Sequence, residues 1–258
     1  MSTIVHPQSI VEKGAELDEG VKIGPFCWVG SKVKIAAGTT LYSHVRIEGS
    51  TTIGRDNQIE SQVCLGGAPQ DLSYKGEDTR LEIGDGNVFK ECFTAHRAST
   101  KEEGVTRIGS HNFFMTYTHV AHDCRIGNHI IAANYAGFPG HVQVFDYANI
   151  SGLTAVIQHG RVGRYAFMAG GCLMRRDLVP FMAAKGDGDI TGPNLVGLKR
   201  AGFDSKQLRV CKELYKIFFN KKMTAQKAIE EIKVKYPEDL IAKEFVDFVE
   251  ASKIGVKR

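Results

Sequence analysis

Residues 116–127, TYTHVAHDCRIG, place two aliphatic side chains, Val120 and Ile126, six residues apart. The same spacing runs along the chain in both directions. Stepping by six from the N-terminal end gives an unbroken aliphatic series, Val5, Val11, Leu17, Ile23, Val29, Ile35, Leu41, Ile47, Ile53, Ile59 and Leu65. The spacing resumes at Ile83, Phe89 and Ala95, and after a shift of one residue it continues through Ile108, Phe114, Val120, Ile126, Ala132, Phe138, Val144, Ile150, Val156, Val162 and Met168. Internal repetition therefore decides the fold.

A period of six residues matches neither the 3.6-residue turn of a helix nor the two-residue alternation of a strand. It matches a short strand followed by a tight turn. Three such units close one triangular coil of about eighteen residues, with the aliphatic side chains inside and the next coil about 4.8 Å above. The sequence thus predicts a mainly β fold, a parallel β-helix of hexapeptide repeats. Its left-handed sense is expected from such repeats and does not follow from the period.

Two polar, glycine-containing segments, residues 66–82 and 98–107, interrupt the period. We expect both to loop out of the β-helix. Loops of this length in a regular solenoid are more often functional than decorative, and a simple tolerated insertion is the alternative.

The repeat weakens after Met168, and residues 177–195 are interpreted as a connecting segment. The period then becomes helical. We predict three helices: one capped by Asp204 or Ser205 and ending near Asn220, one from Thr224 to about Lys235, and one from Pro237 with Leu240, Phe245, Phe248 and Val249 on its buried side. The expected domains are a β-helix over residues 1–190 and a small C-terminal α-helical domain over residues 191–258.

Composition is typical of an ordinary globular protein. The 258 residues are 43% hydrophobic and 24% charged. No run approaches the ~18 apolar residues that span a bilayer, and the N-terminal residues lack a signal sequence, so we expect no stable membrane insertion. The six cysteines are scattered without a CxxC pair, which favours reduced thiols and a cytoplasmic location.

Positive charge is concentrated at the C-terminal end. Residues 199–258 carry 15 Lys and Arg against 9 Asp and Glu, whereas the rest of the chain carries 18 against 20. The surplus favours an acidic partner, and a solvated helical surface explains it equally well.

The repeat also predicts which polar side chains meet. Residues eighteen apart are expected to stack on successive coils, about one strand spacing apart. The expected columns are Asp123, His141 and His159 in one, and His122, Gly140 and Gln158 in the adjacent one. His122 would then have a carboxylate beside it, and Gly140 above it would leave a recess with an accessible backbone N–H.

A histidine beside a carboxylate is the arrangement that a general base needs, because the carboxylate selects the tautomer and stabilises the imidazolium. The backbone N–H of Gly140 could donate to an oxyanion. The sequence contains no GxSxG motif for a nucleophilic serine. Direct attack by a base-activated substrate hydroxyl therefore fits better than a covalent enzyme intermediate.

Other roles for the histidines stay open. Histidines at repeat turns are usually solvated or hydrogen-bonded, and we assign this role to His6, His44, His111 and His129. For the cluster of His119, His122 and His141 a structural role is the less favoured alternative. A zinc site between adjacent subunits is a further alternative, but it would not explain the polar loop or the basic helices, and we expect no metal.

Six motifs carry a family resemblance: VHP (5–7), PQDL (69–72), HVAHDC (119–124), GHV (140–142), MAGGC (168–172) and NLVGLKRAGF (194–203). On these motifs the chain resembles, over nearly its whole length, the acyl-[acyl-carrier-protein]–UDP-N-acetylglucosamine O-acyltransferases of the lipid A pathway. The last motif is quite specific, whereas hexapeptide repeats alone are shared by many acyltransferases.

The resemblance implies a homotrimer with active sites in the clefts between subunits. A 3-hydroxyacyl chain would pass from acyl carrier protein to the 3-hydroxyl of UDP-N-acetylglucosamine. His122 would be the general base, Asp123 would orient it, and the Gly140 N–H would hold the oxyanion. The acyl donor is carried on the phosphopantetheine of acyl carrier protein, so no separate cofactor is expected, and no nucleic-acid partner is expected either.

The resemblance also implies binding residues. Positions that contact the sugar nucleotide or the acyl group are matched by Gln70, Asp71, His119, His141 and Gln158, and positions near the nucleotide and diphosphate by Asn194 and Arg200. Gly170 matches the position that helps to set acyl-chain length, because a side chain there would occupy the acyl groove. The basic helices then suit an acidic acyl carrier protein.

Several positions depart from the family pattern. Ile157 stands where a substrate-pocket histidine is common, and His159 is new. Val196 stands in place of an acidic residue, Ala201 in place of a second arginine, and Ser73 in place of a lysine. Loss of a phosphate-facing arginine could cost about 1–3 kcal/mol of nucleotide binding, so the departures bear on the acceptor more than on the mechanism.

Three rival functions stay open. The first is the related N-acyltransferase of the same pathway, which normally carries an additional N-terminal uridine-binding domain; the repeat begins at Val5 and is expected to leave no room for one. The second is acyl transfer to a 3-amino UDP-sugar. The third is a β-helix that binds a sugar nucleotide or carrier protein without turnover.

Overall fold

A computed structural model describes residues 2–220 and 222–257. Most of its strands are two residues long, and up to β26 each strand of the β-helix that continues a sheet pairs in parallel with the strand three places before it. Three flat sheets, which we call A, B and C in the order in which the chain visits them, form the walls of a prism. The predicted parallel β-helix is confirmed.

The strands divide among the sheets as follows. Sheet A contains β1 (Ile4–Val5), β4 (Lys22–Ile23), β7 (Thr40–Leu41), β10 (Gln58–Ile59), β13 (Val88–Phe89), β16 (Phe113–Phe114), β19 (Ile131–Ala132), β22 (Asn149–Ile150), β25 (Phe167–Met168), β27 (Met182–Lys185) and β28 (Asp189–Pro193). Sheet B contains β2 (Ile10–Val11), β5 (Trp28–Val29), β8 (Arg46–Ile47), β11 (Cys64–Gly67), β14 (Thr94–His96), β17 (His119–Val120), β20 (Gly137–Phe138), β23 (Ala155–Val156) and β26 (Leu173–Met174). Sheet C contains β3 (Glu16–Leu17), β6 (Lys34–Ile35), β9 (Ser50–Ile53), β12 (Arg80–Ile83), β15 (Val105–Ile108), β18 (Arg125–Ile126), β21 (Gln143–Val144) and β24 (Arg161–Val162).

The residues of the six-residue series form the core. In the two-residue strands from β4 onward the first residue faces outward and the second is buried, as in Lys22 and Ile23. Each fully buried aliphatic side chain contributes about 1.5–3 kcal/mol relative to an exposed one, so the stack stabilises the whole β-helix. The N-terminal coil is less covered, and Val5 is 41% exposed.

The register shows where the two predicted loops leave the β-helix. Paired residues are 18 apart in regular coils, as for Ile131 and Asn149. The separation rises to 30 for Gln58 and Val88 and to 25 for Val88 and Phe113. Both segments therefore loop out as expected, but over the shorter ranges 68–79 and 97–104, because β11, β12 and β15 extend into the predicted loops. We call these ranges the first and the second loop.

The corners of the prism have a consistent backbone conformation. Between sheets B and C the turn residues Asp123, His141 and His159 have φ of 61°, 65° and 63°. This left-handed region is uncommon for residues other than glycine, and Asp, Asn and His tolerate it best. The turn geometry therefore favours the residue types found at this corner, which we call the B–C corner.

The prediction of a connecting segment over residues 177–195 was wrong. The β-helix continues past Met168 with β26 and β27, and β28 then pairs antiparallel with β27. The weak six-residue signal in this part of the sequence hid these strands, because a hairpin at the end of a solenoid need not keep the repeat.

Four helices follow in the described part of the chain: α1 (Leu195–Arg200), α2 (Ser205–Phe218), α3 (Ala225–Lys235) and α4 (Leu240–Glu250). Asp204 caps α2 in a capping box with Gln207, as predicted, and Thr224, the predicted start of the second helix, caps α3. The third predicted helix begins at Leu240 and not at Pro237, because Asp239 caps it. The predicted domain division at residues 190 and 191 stays a prediction.

Hydrogen bonds and ion pairs hold the helices on the end of the β-helix. Arg161 on β24 donates from its Nε to Oδ2 of Asp177 at 2.9 Å, and Ser252 after α4 donates to the same oxygen at 2.7 Å. Arg164 pairs with Glu244 on α4. Among the described residues, no helix combines the length and hydrophobicity needed to cross a membrane.

Candidate active site

The candidate base lies at the B–C corner, between β17 and β18. His122 and Asp123 form the turn, and both are buried, with exposures of 6% and 2%. Nδ1 of His122 lies 2.8 Å from Oδ2 of Asp123. Because an ionised carboxylate only accepts hydrogen bonds, Nδ1 carries the proton and Nε2 of His122 is left as the basic nitrogen.

The predicted columns of stacked residues are confirmed at this corner. The His141 and His159 rings are stacked, with centroids 4.3 Å apart and planes 13° apart. The backbone N–H of His141 donates to the carbonyl of His122 at 3.1 Å. Nε2 of His141 lies 3.9 Å from Oδ2 of Asp123. The eighteen-residue repeat therefore brings residues remote in sequence to one site.

Gly140 lies directly against the imidazole of His122. A Cβ at residue 140 would lie 2.6 Å from Cε1 and 2.9 Å from Nε2 of His122, closer than real Cβ contacts. Among the described residues, the backbone N–H of Gly140 has no hydrogen-bond acceptor. A donor beside the basic nitrogen of His122 is the arrangement that an oxyanion formed by acyl transfer requires.

The second loop folds over the B–C corner. Ser99 donates to Oδ2 of Asp123 from its Oγ at 2.7 Å and from its backbone N–H at 3.1 Å. Oε1 of Glu102 lies 2.8 Å from Nδ1 of His141. Neither Ser99 nor Glu102 was singled out from the sequence, where the polarity and length of the loop were the only signal.

The first loop reaches the same region through an ion pair. Nζ of Lys101 on the second loop lies 2.6 Å from Oδ2 of Asp71. The hydrogen bond from Lys101, followed by those from Ser73, lowers the pKa of Asp71 well below its usual range. Gln70 beside it is exposed. Lys101 thus ties Asp71 to the second loop, which contacts the B–C corner through Ser99 and Glu102.

Two further histidines lie on sheet B beside this corner. Nδ1 of His119 is 2.7 Å from Oγ1 of Thr94, while its buried Nε2 has no partner among the described residues. Burial lowers the pKa of His119 to about 4, with further contributions from His96 and His122. Burial and, to a smaller degree, His122 also lower the pKa of His96. Both rings are therefore neutral near pH 7, and sequence reasoning missed His96.

Not all predicted site residues meet within one chain. Gln158 is exposed one coil beyond Gly140, at the same corner. Gly170 lies instead at the corner between sheets A and B, where a Cβ would meet nothing closer than the Gly152 carbonyl at 3.7 Å. The position is open, as expected if a groove passes it.

Asn194 and Arg200 lie at sheet A, away from the B–C corner. They line a cavity of about 710 Å³ together with Val196, Ala201 and aromatic side chains of sheet A and its edge. Asn194 caps α1 by accepting from the Gly197 N–H, and its amide donates to the Tyr165 carbonyl at 3.0 Å. The predicted site residues thus form two groups on different faces of the β-helix.

The histidine and carboxylate groups at the B–C corner have the donor set that zinc prefers. Within the described residues, ligand atoms lie within 4.8 Å of one another in His122, Asp123 and His141, and in Glu102, His141 and His159. A metal bound at Nε2 of His122 would occupy the basic nitrogen, and one bound at Nδ1 would displace the hydrogen bond to Asp123. Metal binding at His122 and proton transfer by its free imidazole are thus mutually exclusive, and the expectation of no metal stays a prediction.

Comparison with known proteins agrees with the fold and the motifs. A family model described as UDP N-acetylglucosamine O-acyltransferase, domain 2, matches residues 177–257. The acyl-[acyl-carrier-protein]–UDP-N-acetylglucosamine O-acyltransferase of Thermodesulfovibrio yellowstonii is 44% identical over 255 residues, which cover 98% of this chain and 99% of that protein.

Solved structures superpose over almost the whole chain. The UDP-N-acetylglucosamine acyltransferase of Francisella novicida has a TM-score of 0.97 at 37% identity, covering 99% of this chain and 94% of that one. LpxA from Acinetobacter baumannii has a TM-score of 0.96 at 36% identity, covering 99% and 100%. The predicted fold, a left-handed parallel β-helix followed by C-terminal helices, is that of these proteins. The chain belongs to the acyl-[acyl-carrier-protein]–UDP-N-acetylglucosamine O-acyltransferases.

Proposed function

We propose that the protein transfers a 3-hydroxyacyl chain from acyl carrier protein to the 3-hydroxyl of UDP-N-acetylglucosamine, the first step of lipid A biosynthesis. The observation that carries this proposal is the His122–Asp123 pair beside Gly140, whose backbone N–H has no acceptor among residues 2–220 and 222–257. Acyl transfer needs a base for the attacking hydroxyl and a donor for the oxyanion, and the B–C corner supplies both from the turns of two successive coils.

The reaction then follows from the geometry. Nε2 of His122 takes the proton of the sugar 3-hydroxyl as its oxygen attacks the thioester carbonyl. Asp123 stabilises the imidazolium, and the Gly140 N–H donates to the oxyanion of the tetrahedral intermediate. When the carbon–sulfur bond breaks, the imidazolium returns the proton to the departing thiolate of the phosphopantetheine. The donor carries its own prosthetic group, so these steps use no metal and no further cofactor.

We assign sugar and acyl contacts to the residues that surround this corner. Within the part of the chain that the structure describes, the buried Nε2 of His119 has no partner, and a substrate hydroxyl or amide could pair with it. His141, Gln158, Gln70 and Asp71 lie on the corner or on the loop tied to it. Gly170 would set acyl-chain length from the neighbouring corner, where its missing side chain leaves the surface open.

The separation of the two groups of site residues supports a homotrimer. Asn194 and Arg200 lie at sheet A of the chain whose His122 lies at the B–C corner, so one chain does not complete the site. A second subunit that packs its sheet A face against the B–C corner would do so. Exposed aromatic residues, among them Tyr117, Tyr135 and Tyr147, lie on corners of sheet A and suit such an interface.

Complementation of variants tests the shared site. We expect His122→Ala and Asn194→Ala/Arg200→Ala chains, each strongly impaired alone, to recover activity when co-expressed. Random assembly of a trimer would leave about one quarter of the inter-subunit sites intact. A site built within one chain would give no recovery, because no chain in the mixture carries both groups.

The basic C-terminal helices suit the acidic surface of acyl carrier protein. Lys206, Arg209 and Lys212 are exposed and three residues apart along α2. Charge complementarity of this kind speeds association and weakens with salt. We place the reaction in the cytoplasm, because all six cysteines are free thiols.

One assay tests the function directly. The purified protein is incubated with UDP-N-acetylglucosamine and a panel of 3-hydroxyacyl carrier proteins, and the acylated sugar nucleotide is measured. We expect transfer by the wild type and a loss of about 10²–10⁴ in kcat for His122→Ala. No transfer with any chain length would overturn the function, and normal turnover by His122→Ala would overturn the base assignment. The 3-amino UDP-sugar, run in parallel, separates the two acceptors.

A further inference from the structure

The second loop places one buried serine against the catalytic carboxylate. Ser99 is 3% exposed and belongs neither to the β-helix core nor to the motifs that identify the family. Its Oγ lies 2.7 Å and its backbone nitrogen 3.1 Å from Oδ2 of Asp123. The same Oδ2 lies 2.8 Å from Nδ1 of His122. Three donors therefore converge on a single carboxylate oxygen.

The direction of the Ser99 hydroxyl hydrogen bond is fixed by its neighbours. The backbone N–H of Lys101 donates to Oγ of Ser99 at 3.2 Å, so the serine oxygen already acts as an acceptor there. An ionised carboxylate has no proton to donate. The hydroxyl proton of Ser99 therefore points at Asp123, and the hydrogen bond is charge-assisted.

The rest of the Asp123 carboxylate is held weakly. Its buried Oδ1 has no hydrogen-bond partner among the described residues. The rotation of the carboxylate thus depends on the three hydrogen bonds to Oδ2. One comes from His122, and the other two come from Ser99. Without the serine hydroxyl the carboxylate loses one of the two donors that fix its plane relative to the imidazole.

We propose that Ser99 is a positioning residue for the acyl transfer: it holds Oδ2 of Asp123 against Nδ1 of His122, so that Nε2 stays basic and directed at the acceptor hydroxyl. This inference rests on the proposed function, in which His122 is the general base. Ser99 acts through Asp123 and His122 and does not touch the substrate itself.

The loop that carries Ser99 is itself tied to the site. Glu102, three residues on, bonds to His141, and Lys101 pairs with Asp71 on the first loop. These contacts give the loop a second function as an anchor for neighbouring groups. A merely structural role for Ser99 would therefore change substrate binding or stability, whereas a positioning role changes the rate of the chemical step.

Steady-state kinetics of Ser99→Ala separate the two roles. The backbone N–H remains in this variant, so we expect kcat to fall about 10- to 100-fold, the range for one hydrogen bond to a charged group, rather than to vanish. KM for the sugar nucleotide should stay within about threefold of the wild type, since the lost bond acts on the base. Ser99→Thr keeps the hydroxyl and should recover most of the kcat.

A double-mutant cycle ties the effect to Asp123. In an Asp123→Asn background, Ser99→Ala should lower kcat by no more than about twofold, because the carboxylate it orients is gone. Ser9→Ala is the matched control: Ser9 also accepts from a backbone N–H and donates to another group, but on the first coil. Its kcat should equal that of the wild type.

The outcomes distinguish this inference from the proposed function. An inactive wild type overturns the function itself. An active wild type whose Ser99→Ala variant keeps its kcat, or loses as much kcat in the Asp123→Asn background as alone, overturns the positioning role. A raised KM at unchanged kcat also overturns it and assigns Ser99 to loop anchoring, and thermal melting of each variant shows whether the fold is retained.

Discussion

His122 and Asp123 are neighbours in the sequence, and their side chains are also hydrogen-bonded, with Nδ1 and Oδ2 2.8 Å apart. Consecutive side chains on an extended strand point to opposite faces. Here the left-handed conformation of Asp123, with φ of 61°, interrupts that alternation at a corner of the β-helix. The proposed base and the group proposed to orient it are therefore supplied by one turn.

Asp123→Asn should impair catalysis without unfolding the protein. The amide keeps the size of the side chain but can present its NH₂ group to Nδ1 of His122, which favours the wrong tautomer. We expect kcat to fall by about 10²–10⁴. Steady-state kinetics at saturating acyl carrier protein measure this, and a loss below tenfold would contradict the role of Asp123.

Gly140→Ala should also reduce turnover, for a steric reason. The added Cβ would lie 2.6 Å from Cε1 of His122, so the imidazole or the turn has to move. A displacement of this size at the reacting groups costs on the order of 10²-fold in rate. Gly137→Ala is the control, because a Cβ there meets nothing within 4 Å. Equal activities of the two variants would show that the recess is not needed.

Stability should fall as the pH is lowered, partly because of His119. Its pKa is about 4 in the folded protein, whereas an unperturbed histidine titrates near 6.5. Between these values the unfolded chain binds a proton that the folded chain does not, so the free energy of unfolding decreases by up to about 1.4 kcal/mol per pH unit. Burial also lowers the pKa of His96 and of His159, so these two histidines change the stability in the same direction.

Urea denaturation at about pH 7 and about pH 5 measures this effect. His119→Gln removes one titrating group, so the variant should lose less stability between the two pH values than the wild type. Identical losses would show that His119 does not contribute.

Arg161→Ala should strongly destabilise the junction between the β-helix and the helices. It leaves Asp177, which is 1% exposed, as a buried carboxylate without its arginine. Breaking a buried ion pair in this way costs about 3–5 kcal/mol. Lys216→Ala is the control: it removes an exposed pair with Glu213 and should cost no more than about 1 kcal/mol. Similar unfolding free energies for the two variants would refute the anchoring role of Arg161.

Gly170→Met should shift the preferred donor toward shorter acyl chains. Space is open at this position, and a long side chain there would fill the proposed end of the groove. Initial rates with a series of 3-hydroxyacyl carrier proteins of different lengths measure the shift. An unchanged preference would place the end of the acyl groove elsewhere.

Much of the fold follows from the sequence because the repeat is local and additive. Each six-residue unit encodes its own strand and turn, so the core and the pairing of residues eighteen apart can be counted directly. The stack of Asp123, His141 and His159 was predicted in this way. The helix caps Asp204 and Thr224 were likewise readable, because capping involves residues three apart.

Contacts that depend on loops and on packing between distant segments were beyond such counting. Ser99 reaches Asp123, and Glu102 reaches His141, from a loop without a period, so nothing in the sequence fixes their partners. The β27–β28 hairpin depends on how the chain ends the β-helix.

The sequence by itself determined the β-helix, its core and the His122–Asp123 corner, because these arise from regular local spacing. Only the tertiary structure decided that the second loop covers the corner, and that Asn194 and Arg200 lie on a different face from His122. The lowered pKa of His119 was likewise decided only by the tertiary structure. Burial, loop closure and the choice of face depend on the summed packing of the whole chain, and no single stretch of residues encodes them.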